Sequence, residues 1–71
     1  MNRIEATTIA REALDFIEQD SDRPDLQVEF FGSEAAWEIA LEEASATFFA
    51  LNSNSTPAAD VAAAIAKVEA A

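Results

Sequence analysis

Between Trp37 and Leu51 the apolar side chains obey one period. Trp37, Ala40, Leu41, Ala44, Phe48 and Leu51 recur at i, i+3, i+4, i+7, i+11 and i+14, the spacing of a helix that buries one face. Successive residues of a strand point to opposite sides, so a strand would scatter these six over both faces. The chain must therefore be organised around a long helix. Ser33 can accept hydrogen bonds from the first-turn amides, and Glu34 suits the positive end of the macrodipole. The pattern predicts a helix over residues 33–52.

Two further helices follow from the same reasoning. Residues 2–19 place Ala6, Ile9, Ala10, Ala13, Phe16 and Ile17 on one arc, with Glu5, Glu12, Asp15 and Glu18 outside it. Asn2 and Glu5 stand in the relation of a capping box, with Asn in place of Ser or Thr. After a polar loop over 53–56, Thr56 reads as an N-cap and Pro57 as the first residue of a helix over 57–70. Its narrow seam is Ala58, Val61, Ile65 and Val68, and its alanine-rich remainder is a strong helix former.

The segment between the first two helices reads differently. Residues 20–25 form a loop in which Pro24 ends the preceding helix. Leu26-Gln27-Val28-Glu29-Phe30 then alternates apolar and polar residues, with Gly32 as the following break. That is the period of a half-buried strand, and an extended linker under the helices fits it equally. A lone strand leaves backbone groups unpaired, and either another segment of this chain or residues 26–31 of a second copy, in a homodimer, would have to satisfy them. The expected fold is a single mostly α domain over residues 1–71: three helices, with a short strand or extended segment over 26–31.

Composition narrows the function classes. The chain has 71 residues, 51% of them hydrophobic, enough apolar surface for a core. It has no cysteine and no histidine, one lysine and one glycine. Thiol chemistry, imidazole bases and glycine-rich phosphate cradles are thereby absent. Carboxylates alone can do acid–base work only in a cleft that separates their pKa values, and three short helices leave little room for one. A non-enzymatic protein that needs no cofactor is expected. Asp20, Asp22 and Asp25 begin like a calcium loop, but Asp25 and Phe31 stand where that loop needs glycine and a bidentate glutamate. No metal site is therefore assigned. Gly32-Ser33-Glu34 likewise departs from the Asp-Ser-Leu of acyl carrier proteins, which leaves Ser33 as a cap. Residues 1–17 lack the basic start and apolar run of a signal peptide, and no stretch approaches the roughly 20 apolar residues of a membrane span, so the expectation is a soluble, cytoplasmic protein.

Fourteen carboxylates against four basic residues give a net charge of −10, which repels nucleic acid and anionic membranes and attracts basic protein surfaces. Solubility alone, or adaptation to high salt, would also account for that balance. Two features are more pointed. Glu34, Glu38 and Glu42 repeat at i, i+4 and i+8 on a helix without a basic residue, one charge about every 6 Å, although each like-charge pair costs roughly 0.2–0.5 kcal/mol. Phe49 lies on the flank of that stripe, where an interface anchor and a filler of a wide core fit it equally. Glu18, Asp20, Asp22 and Asp25 gather near the carboxyl end of the first helix, where cations would be favoured. These eight residues are the candidate partner-binding set.

In size, charge and helicity the chain resembles small phage-encoded inhibitors such as anti-CRISPR proteins and other DNA mimics. The resemblance spans the whole chain and rests on no diagnostic motif. It implies occupation of the basic surface of a nucleic-acid-binding protein or complex through phosphate mimicry. The alternative is a helical oligomerisation module or adaptor whose acidity serves solubility.

Overall fold

The chain's capping residues set the helix starts. In the computed structural model, which describes residues 1–19 and 23–71, Asn2 accepts a 2.8 Å hydrogen bond from the Glu5 amide and Ser33 accepts one of 3.1 Å from the Ala36 amide. The helices are α1 (Arg3–Glu18), α2 (Pro24–Phe31), α3 (Glu34–Asn52) and α4 (Ala58–Ala70). The mostly α expectation holds, and no strand occurs among the described residues. Glu5 reaches back to the Asn2 side-chain amide at 3.4 Å, where a capping box would use the backbone amide. At the start of α4 the cap is Pro57, one residue later than expected. Its carbonyl accepts from the Asp60 and Val61 amides at 3.0 Å each, and no side chain caps that end.

The extended segment expected over 26–31 is instead two turns of helix. Pro24 stands in the first turn of α2 and Asp25 follows it, while Gly32 closes the helix in the left-handed conformation at φ +91°, its amide donating to the Val28 carbonyl at 2.8 Å. A proline whose missing N–H falls among amides that lack helical partners, and a glycine that accepts positive φ, bracket a helix. Pro24 therefore begins α2 as well as excluding continuation of α1. Over five residues a period of 2 and a period of 3.6 differ little, but the faces they create do. In a strand Leu26, Val28 and Phe30 would share a side. In α2, Leu26 and Phe30 lie one turn apart and face outwards, 38% and 66% exposed, while Gln27 is buried.

Side-chain donors tie α1 to α3 at both ends. Arg3, in the first turn of α1, donates to the Leu51 carbonyl at 2.9 Å and to the Ser53 carbonyl at 2.6 Å. Trp37, in the first turn of α3, donates through Nε1 to the Ile17 carbonyl at 3.2 Å. The two helices thus run antiparallel, and each supplies a donor to carbonyls that the other's last turn leaves without helical partners. Arg3 also brings a positive charge to the end of α3, whose last turn has no basic residue of its own.

The hairpin carries the remaining helices. α4 packs against both α1 and α3, and α2 packs against α3. The core cluster is Ala6, Ala10, Leu51 and Ala64, with Phe48, Val61, Ile65 and Val68 partly buried around it. The predicted seam of α3 is half-buried or buried throughout, whereas Ala58 of the predicted α4 seam is exposed and Ala64 takes the buried place. On α1 the inward stripe is Ala6 and Ala10, buried, with Arg3, Thr7, Leu14 and Ile17 half-buried, rotated by about 65° from the predicted arc. Thr7 is accommodated there because its hydroxyl donates to the Arg3 carbonyl at 2.7 Å. Ile9, Ala13 and Phe16, expected inside, are exposed. The result is elongated, 38 × 20 × 17 Å with a radius of gyration of 12.8 Å, against about 11 Å for a compact chain of this length.

Candidate functional site

Glu34, Glu38 and Glu42 all lie on the face of α3 turned away from the hairpin, and all are exposed. Their position follows from the burial of Trp37, Ala40, Leu41, Ala44 and Phe48 on the opposite side, because residues four apart stack on one face of a helix. Phe49 continues the row and is 73% exposed. From Glu34 to Phe49 the row is about 22 Å long. Ile39, 57% exposed, sits beside it. Sequence reasoning missed Ile39, although its position outside the Trp37–Leu51 seam marked it as an apolar residue without an internal partner.

The three arginines are engaged elsewhere, and Lys67 lies on α4. Arg3 holds the carbonyls at the end of α3, and Arg11 lies 5.9 Å from the centre of the Phe48 ring. The ion pairs among the described residues are the Met1 amino group with Glu69 at 4.0 Å and Arg23 with Asp25 at 3.5 Å. Neither touches the α3 row. Its carboxylates accordingly have no intramolecular counterion among the described residues, and an approaching cation would not have to displace one.

The second acidic group is less unified. Glu18 is exposed in the last turn of α1, whereas Asp25 occupies the first turn of α2, where a negative charge is favourable. The hydrogen bond from Arg23 holds the Asp25 carboxyl below its ordinary value, with the guanidinium charge acting in the same direction. Asp25 is therefore locally satisfied. Asp20 and Asp22 lie outside the described residues.

A separate apolar region was also missed. Phe16 and Phe30 meet edge-to-face with ring centres 5.1 Å apart, and Phe30 meets Phe31 in the same way at 4.9 Å. Beside this cluster an open groove of about 440 Å³ runs between α1, α3 and the end of α4. No protein-family model matches the chain, nor does any curated protein or solved structure.

Proposed function

We propose that the protein is a non-enzymatic acidic inhibitor whose α3 row, Glu34, Glu38, Glu42 and Phe49, occupies the basic surface of a nucleic-acid-binding protein or complex. One observation carries the reading: three carboxylates without internal counterions and a largely exposed aromatic ring share a single outward face. The division of labour is physical. Carboxylates steer a basic surface into register and disfavour wrong partners, while burial of the Phe49 ring supplies about 1.5–3 kcal/mol. A charge about every 6 Å on α3 is sparser than the roughly 3.4 Å rise per phosphate along one DNA strand. The row therefore imitates part of one strand, and Phe49 adds a contact that phosphate lacks.

Immobilised protein exposed to lysate at low and at moderate salt tests this, with duplex DNA as competitor. The wild type should retain a basic protein that added DNA displaces. E34Q/E38Q/E42Q should retain less of it and show a flatter salt dependence, while its fold stays intact because repulsion along α3 is relieved. Equal retention by wild type and variant at both salts would leave the row a solvated surface. Changes at Glu5 and Glu12 of α1 control for net charge.

A further inference from the structure

The core of this chain is short for its length. Ala6, Ala10, Leu51 and Ala64 are the buried apolar residues among those described, and Leu51 is the one large side chain fully enclosed. The accessible surface is 4802 Å², about 500 Å² more than a compact chain of this mass exposes. Chains of this size usually compensate with disulfides, metals or self-association, and cysteine is absent. Ile4, Ile39 and Phe49 are exposed elsewhere, while part of the uncovered surface lies between α1, α3 and the end of α4. There α4 covers one part of the α1/α3 seam and Phe30 of α2 meets Phe16 of α1 further along. Ala10, Ala13, Ala40 and Ala44 line the groove between them, Ala13 exposed and Ala10 at its buried floor.

We infer that this groove closes on a second copy of the same chain, related by a two-fold axis. The patch contains both halves of such a contact. The alanines make a shallow trough that another helix can approach closely. Ile9 lines it, 40% exposed, and Phe16, 46% exposed, lies one turn beyond Ala13 on the same face of α1, as the side chains that would fill the trough of the other copy. A two-fold interface requires this self-complementarity, since one surface must serve as donor and recipient. The charges agree. Glu43 on α3 and Lys67 on α4, the chain's only lysine, both line the groove, and neither forms an ion pair among the described residues. Across a two-fold axis each Lys67 meets the other copy's Glu43.

Salt separates this contact from the α3 row. Each copy carries −10, so association through an apolar groove is opposed by long-range repulsion that salt screens, and it tightens as salt is added. Binding of a basic partner by the row weakens under the same change. Sedimentation equilibrium on the full chain, from low micromolar to several hundred micromolar, provides the test. The wild type should be a dimer whose dissociation constant falls with salt. A13E places a charge on the exposed trough of α1 and should weaken the dimer on the order of 100-fold, since symmetry applies the change twice. K67E should weaken it about 10-fold by turning two attractions into repulsions, and E43K/K67E should restore it. Circular dichroism verifies the fold of each variant, and the charge-swap pair suffices should A13E not fold. A wild type that is monomeric throughout, or a dimer indifferent to K67E and its swap, would overturn the inference.

Discussion

The α1/α3 hairpin and α2 are helices of similar apolar content held by different means. The hairpin is fastened by Arg3 and Trp37 at its two ends and packs along its length around Ala6, Ala10 and Leu51. α2 has two turns, with Pro24 at its start and the Gly32 cap at its end, yet it leaves Leu26 and Phe30 to solvent. The difference teaches that local signals suffice to form a helix here, while long-range donors and enclosed side chains decide how firmly it is fixed. Isolated helices of eight residues are unstable in water, so α2 depends on its contact with α3 and should open before the hairpin does.

The largest test of that comparison is Leu51→Ala. Leu51 is 2% exposed and touches the alanines of α1 and α4, so its truncation should cost about 3 kcal/mol through lost burial and the cavity left behind. Denaturant unfolding measures this directly. A loss below 1 kcal/mol would mean that the hairpin is not the stable region.

Arg3→Met keeps much of the apolar stem and removes the guanidinium. The carbonyls of Leu51 and Ser53 lose charged donors, and stability should fall by about 2 kcal/mol. Amide exchange should quicken first at the end of α3 and the start of α1. Uniform quickening along both helices would show that the clamp acts on the whole hairpin and not on its end.

Gly32→Ala has the smallest effect of the three and sharpens the contrast most. Nothing lies within 4 Å of an added methyl group, so the penalty comes from φ +91° alone, about 1 kcal/mol. Amide exchange should rise in α2 with little change in α1. Equal acceleration in both would make α2 part of one cooperative unit and break the comparison.

Part of the candidate site could be read before any tertiary structure was known. Once Trp37, Leu41, Ala44 and Phe48 define the inner face of α3, the outer positions of Glu38, Glu42 and Phe49 follow from helix geometry. The acidic group around Glu18 and Asp25 was less legible, because its meaning depends on which helix end lies nearby. Reading Asp25 as a loop residue made it electrostatically unfavourable, whereas at the start of α2 it is favourable. The clamp had one local sign. A positive Arg3 in a helix's first turn is disfavoured unless it serves something distant, and here it serves the end of α3.

The amino-acid order by itself determined the places of α1, α3 and α4, the caps Asn2 and Ser33, and the outward direction of the acidic row. Each depends on residues within a turn or two of one another, where spacing and hydrogen-bonding chemistry act directly. Only the tertiary structure decided how α1 is rotated. Ala6, Ala10 and Ile17 belong both to the predicted arc and to the inward stripe, so its own pattern left α1 free to present either Ile9 and Phe16 or Thr7 and Leu14 to the core. Packing against α3 and α4, with Arg3 drawn to the carbonyls of Leu51 and Ser53, selected the second and left Ile9, Ala13 and Phe16 beside an open groove. Alanine-rich helices can approach one another in more than one rotation, because small side chains resist neither, and only contacts distant in sequence select among them.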